Sequence, residues 1–98
     1  MRRRSALLAA EVLRWPKTRT GRMLGMRSLY RGEVIFALLP GSRSIWGPNE
    51  IAVKDHRLPG AAGQKWQAVV VADDAALTFA LERLNEAYRA AKSPSGER

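Results

Sequence analysis

The stretch Arg22–Leu39, which reads RMLGMRSLYRGEVIFALL, decides the fold. Two apolar runs, Arg22–Tyr30 and Glu33–Leu39, are separated by Arg31 and Gly32. A glycine in a short break between apolar runs is typical of a β-hairpin, because glycine readily adopts the positive φ that hairpin turns require. The stretch therefore predicts two antiparallel strands joined at Arg31 and Gly32.

The second run is apolar at every position after its first residue, Glu33. Successive side chains of a strand point to opposite faces of the sheet. One face would carry Val34, Phe36 and Leu38, and the other Ile35, Ala37 and Leu39. A strand that is apolar on both faces is typical of a buried position. We therefore expect a central strand that is covered on both sides, or covered on one side by a partner subunit.

Two more strands and a helix are indicated on either side of this hairpin. In Glu50–Lys54 the side chains would alternate between the two faces of a third strand, with Ile51 and Val53 on one face. Lys65–Val71 is rich in β-branched and aromatic residues, which predicts a fourth strand. Nearer the N-terminus, Ser5 is a candidate N-cap for a helix over about 5–14, which Pro16 would end. The polar, basic segment Pro16–Gly21 is expected to be a connector.

The C-terminal helix is indicated by its N-cap and its periodicity. Asp73 is a good N-cap, and four large side chains follow it at helical spacing on one face: Leu77, Leu81, Leu84 and Tyr88. We expect this face to pack against Phe36, Val34 or Leu38, and Val70. Because the order of elements has no βαβ alternation, the predicted fold class is α+β. It would have a single four-stranded antiparallel sheet, with a short N-terminal helix and a long C-terminal helix packed on it.

The 98 residues suffice for one domain. We expect a flexible basic arm at residues 1–4, a single α+β domain over residues 5–92 and a disordered tail at residues 93–98. Glu11 and Arg14 interrupt the apolar segment that a secretory signal would need, and no apolar run reaches the roughly 20 residues of a membrane span. The expected location is cytoplasmic, with no membrane partner.

The charge is concentrated in the first third of the chain. The 17 Lys and Arg residues against 9 Asp and Glu give a net charge of +8. Residues 1–31 hold nine basic residues and one acid, whereas residues 32–98 hold eight of each. Such a one-sided field attracts polyanions, nucleic acid in particular. Incidental basicity of an arginine-rich sequence is the alternative, and the sequence leaves both open.

Cations in this first third are interleaved with the rings of Trp15 and Tyr30. Cations contact phosphates, and a ring can stack on an unpaired base, although both rings also suit a core position. The candidate nucleic-acid-binding residues are Arg2, Arg3, Arg4, Lys17, Arg19, Arg22, Arg27 and Arg31.

Two aromatic residues are candidate partner contacts. Trp46 lies in a predicted loop, and Phe79 lies on the C-terminal helix opposite its apolar face. We therefore expect a homodimer, in which the second subunit covers these rings. The alternative function is a small homo-oligomeric interaction or scaffold protein with incidental basicity. A small ligand between sheet and helix is a third alternative that the sequence leaves open.

Residues for catalysis are sparse. There is no cysteine, and the one histidine, His56, has no second histidine or cysteine with which to hold a metal. Glu82 and Glu86 share a helix face with Arg83 and Arg89, which is typical of a solvated surface. The sequence therefore predicts a protein that is not an enzyme and that uses no metal and no cofactor.

Two stretches resemble a known superfamily. Arg22–Met26, followed by Leu29–Gly32 and Ile35–Leu39, resembles TfoX N-terminal domains, with Leu24 where those domains have phenylalanine. The segment from Trp66 to Tyr88 resembles the closing strand and helix of MmcQ/YjbR-like proteins. The resemblance covers about residues 8–92 and implies a small α+β fold with an antiparallel sheet. It also implies a non-enzymatic binding module that contacts nucleic acid, with no catalytic residues to assign.

Overall fold

The computed structural model describes residues 2–41, 49–54 and 65–91. Its secondary structure consists of two helices and five strands. In chain order these are α1 (Arg2–Val12), β1 (Thr18–Met23), β2 (Met26–Arg31), β3 (Val34–Leu39), β4 (Glu50–Lys54), β5 (Trp66–Val70) and α2 (Ala76–Ala90). The predicted α+β class, with an antiparallel sheet, an N-terminal helix and a C-terminal helix, is confirmed.

The sheet has five strands in the order β1-β2-β3-β4-β5, each antiparallel to its neighbours, so the prediction of four strands is wrong. The extra strand is β1, which includes part of the segment expected to be a connector. Leu24 and Gly25 both have positive φ, at 54° and 79°, and form a two-residue turn between β1 and β2. This turn divides the run Arg22–Tyr30, which was predicted as one strand.

A β-bulge in β3 changes the expected alternation of side chains. Leu29 lies opposite Ala37 and Tyr30 opposite Ile35, so Phe36 is the additional residue. Phe36 and Ala37 consequently both belong to the core on the helix side, while Leu38 belongs to the cluster on the other face. Both faces of β3 are buried, as expected for a central strand.

Both helices pack on the same face of the sheet. Leu84 and Tyr88 are buried in the core, whereas Leu77 and Leu81 are only partly buried at its margin. The expectation for Val70 is wrong: it is 57% exposed, and the neighbouring Val69 and Val71 point inward instead. Three consecutive valines do not specify which of them faces the core, and the pairing of β5 with β4 sets that choice.

Helix α1 begins earlier than expected, at Arg2. Arg2–Arg4 therefore form its first turn rather than a flexible arm, which corrects that prediction. Ser5 is not the N-cap; it lies inside the helix, and its hydroxyl donates a hydrogen bond to the carbonyl oxygen of Pro40, at 3.2 Å. This bond fixes the start of α1 beside the end of β3.

The two helices run roughly parallel. Arg3 and Arg4, at the start of α1, contact Asp74 just before α2. At the opposite end the Trp15 ring lies 5.2 Å from the Tyr88 ring, and the Tyr88 hydroxyl donates to the carbonyl oxygen of Pro16. Both helix N-termini therefore lie at one end of the sheet, the same end as the Leu24-Gly25 turn.

Candidate nucleic-acid interface

One end of the molecule is electropositive because of both backbone and side chains. The helix dipole places positive partial charge at the N-termini of α1 and α2. Four arginines with described side chains lie at that end: Arg3 and Arg4 in the first turn of α1, and Arg22 and Arg27 beside the β1–β2 turn. We call this surface the basic end, and it consists of Arg3, Arg4, Arg22 and Arg27.

Asp74 pairs with Arg3 and Arg4 of α1. The Arg3 Nη2 lies 2.7 Å from one carboxylate oxygen of Asp74, and the Arg4 Nε lies 3.0 Å from the other. Hydrogen bonds from Arg4 and Arg3, with the attraction of their charges, lower the pKa of Asp74 below its ordinary value of 3.8. The carboxylate is therefore ionised at neutral pH. It occupies the two guanidinium groups in the way that a phosphate would.

Arg22 and Arg27 have no such partner. They lie directly opposite each other on β1 and β2, and both side chains are exposed. Within the described part of the chain neither forms an ion pair. Like charges directly opposite on neighbouring strands destabilise a sheet. The hairpin therefore carries an electrostatic cost that an anion between the two guanidinium groups would relieve.

A small cavity lies beside this arginine pair. Its volume is about 170 Å³, and the described residues that line it are Arg22, Gly25, Met26, Arg27 and Gly41. The backbone passes very close to itself here: a Cβ at Gly41 would lie 2.5 Å from the carbonyl oxygen of Gly25. Only glycine fits that approach, so the chain leaving β3 closes the side of the cavity. We call this feature the hairpin cavity.

The other candidate cations serve the fold or lie apart. Arg31 donates to the carbonyl oxygen of Tyr88 at 3.0 Å, and its guanidinium lies 4.4 Å from the centre of the Tyr88 ring. Arg19 lies over the Tyr30 ring and donates to the carbonyl oxygen of Gly32. Lys17 is exposed at the far end of β1 from the basic end. The side chain of Arg2 is outside the described part of the structure. The eight predicted cations therefore do not form one surface.

The aromatic candidates also lie in different parts of the fold. Trp15 packs on Tyr88, and Tyr30 is covered by Arg19, so neither ring lies at the basic end. Trp46 lies outside the described residues. Phe79 is 56% exposed on α2, as expected. None of the aromatic candidates in the described part of the chain is therefore placed at the basic end to stack on a base.

A groove of about 570 Å³ lies between Trp15 and the outer surface of α2, where Leu81 lines its apolar part. Glu82 and Glu86 also line it, so this groove carries two carboxylates, unlike the hairpin cavity at the basic end. Over residues 2–41, 49–54 and 65–91, no group of three acids or histidines could hold a metal. No helix in those ranges is long and apolar enough to span a membrane.

Three features of the site were not predicted from the sequence. They are the turn at Leu24 and Gly25, the close approach at Gly41 and the contact of Asp74 with α1. The isolated glycine at position 25, inside a strand-like pattern, was the one available signal for the turn. The other two depend on contacts between distant parts of the chain. Neither a protein-family model, nor a curated protein, nor a solved structure matches the chain.

Proposed function

We propose that the protein is a non-enzymatic module that binds nucleic acid through the basic end. The observation that carries the proposal is the pair Arg22 and Arg27, which lie directly opposite each other, are exposed and form no ion pair with the acids of the described residues. A hairpin that tolerates such repulsion is suited to an anionic partner, because each neutralised phosphate adds favourable energy and releases counterions. The charge of the first third of the sequence and the resemblance to MmcQ/YjbR and TfoX proteins support the same function.

The contacts would be made to the phosphate backbone rather than to base edges. The basic end offers guanidinium groups, which bind phosphate oxygens. Among residues 2–41, 49–54 and 65–91, it presents no exposed aromatic ring for stacking. We therefore expect binding with little dependence on base sequence and strong dependence on salt.

A binding assay at fixed salt tests the proposal with one variant expected to lower the affinity for DNA and one expected to raise it. In R22Q/R27Q the affinity for a short duplex at about 0.1 M salt should fall roughly ten-fold, because two phosphate contacts are lost. D74N should bind more tightly, because Arg3 and Arg4 are released from the carboxylate.

Matched controls separate this surface from overall charge. R14Q/R89Q removes the same two charges from exposed positions elsewhere, and E82Q adds the same charge as D74N on the outer side of α2. Both controls should change affinity by less than about two-fold, since neither position lies at the basic end. Equal effects in variants and controls would mean diffuse attraction and would refute the proposal.

The second candidate function is a homo-oligomeric interaction protein. It is favoured by one observation, the exposure of Phe79 on α2 and of Val70 on the edge strand β5, each more than half exposed. Pairing of subunits is a common way to cover such residues in a small domain. Sedimentation of the wild type and of Phe79→Ser tests it. A concentration-dependent dimer that the substitution abolishes supports it, and a monomer at high micromolar concentration excludes it.

A further inference from the structure

We propose that the hairpin cavity is a binding site for a phosphate monoester, such as the terminal phosphate of a nucleic-acid strand. The inference deepens the proposed function, and in its nucleic-acid form it rests on that function. A monoester carries a charge of about −1.5 to −2 at neutral pH, whereas an internal phosphodiester carries −1. Two opposed arginines match the larger charge.

The size of the cavity favours a single phosphate group. A volume of about 170 Å³ is more than a single water molecule needs, so a small oxyanion can enter. This volume is well below the 300–1,000 Å³ or so that is typical of sites for larger organic ligands. A base or sugar attached to the phosphate would therefore remain outside the cavity.

The lining of the cavity is held in place by the backbone. Paired strands position Arg22 and Arg27 on both sides of a turn whose two central residues, Leu24 and Gly25, have positive φ. On another side Gly41 touches the hairpin backbone and has no room for a side chain. The backbone that lines the cavity is therefore preorganised, so an ordering cost on anion binding falls mainly on the two arginine side chains.

Inorganic phosphate is the first probe, read by NMR at the amides of Gly25 and Gly41. At constant ionic strength, phosphate should shift both amides with saturation in the wild type and in R14Q/R89Q, and chloride should not. In R22Q/R27Q the saturable shift should be lost. That variant should keep or raise the wild-type melting temperature, because it removes a like-charge pair. A linear, unsaturated response in the wild type overturns the inference.

Oligonucleotides of one sequence, with and without a 5′-phosphate, are the second probe. The phosphorylated strand should bind the wild type about five-fold more tightly, and R22Q/R27Q should remove that preference. Equal binding of the two strands by the wild type overturns the terminal-phosphate site but leaves the proposed function intact. Saturable phosphate binding without oligonucleotide binding refutes the proposed function and supports a site for a small phosphate monoester.

Discussion

Leu84 and Leu81 lie on the same helix, and their burial shows which of them belongs to the core. Leu84 is fully buried, whereas Leu81 is partly buried and also lines the outer groove. We expect Leu84→Ala to lower the free energy of unfolding by about 2–5 kcal/mol and Leu81→Ala to lower it by less. Urea denaturation measures both, with Phe79→Ala as an exposed control. Equal losses at Leu84 and Leu81 would mean that the packing of α2 is misassigned.

Single residues were predictable where periodicity alone determines their position. The spacing in α2 indicated the buried face that includes Leu84 and Tyr88, and the exposure of Phe79 followed from it. Val70 was not predictable, because its neighbours are also valines and pattern alone does not specify the register. Ser5 has the chemistry of an N-cap, but its hydroxyl donates to the carbonyl oxygen of Pro40, which lies 35 residues further along the chain.

At the scale of elements, the β1–β2 turn is the least favourable part of the hairpin. Leu24 has a φ of 54°, which costs a residue with a side chain about 1–2 kcal/mol, and it is 69% exposed. Leu24→Asn should therefore raise the free energy of unfolding by about 0.5–1 kcal/mol, since Asn-Gly is the preferred pair for this turn. Leu24→Val should lower the melting temperature. A stabilising valine would exclude the assigned turn.

The contact between α1 and the start of α2 should depend on pH. The pKa of Asp74 is lowered in the folded state, so the ionised carboxylate stabilises the fold above its ordinary pKa of 3.8. This contribution is lost as the pH falls through 3.8 towards the lower folded pKa. Melting temperatures measured from pH 6 to pH 2 should therefore fall more steeply in the wild type than in D74N. Parallel profiles would mean that the contact adds nothing to stability.

Elements were predictable except at the edge of the sheet. The central and C-terminal strands and α2 have clear apolar patterns, because each buries at least one face. The sequence of β1 is TRTGRM, and four of its six residues are exposed, so it has no such pattern. Its position depends on pairing with β2, which the sequence of β1 does not specify by itself.

At the scale of the whole molecule, folding divides the charge of the first third among several surfaces. The sequence indicated the surplus of cations but not their distribution. Arg31 contacts Tyr88 across 57 residues, and Arg3 contacts Asp74 across 71. Such contacts are set by packing of elements that are distant in sequence. The basic end therefore contains four of the predicted cations and excludes Arg19 and Arg31.

The dependence of duplex affinity on salt tests this account most directly. With Arg22 and Arg27 engaged, and Arg3 and Arg4 held by Asp74, a plot of log K against log salt should have a slope of about −2 in the wild type. In R22Q/R27Q the slope should weaken to roughly zero, because each phosphate-contacting cation contributes nearly one unit. In R14Q/R89Q it should stay at about −2. Equal weakening in the two double variants, or no binding by the wild type at about 0.1 M salt, would contradict binding through the basic end.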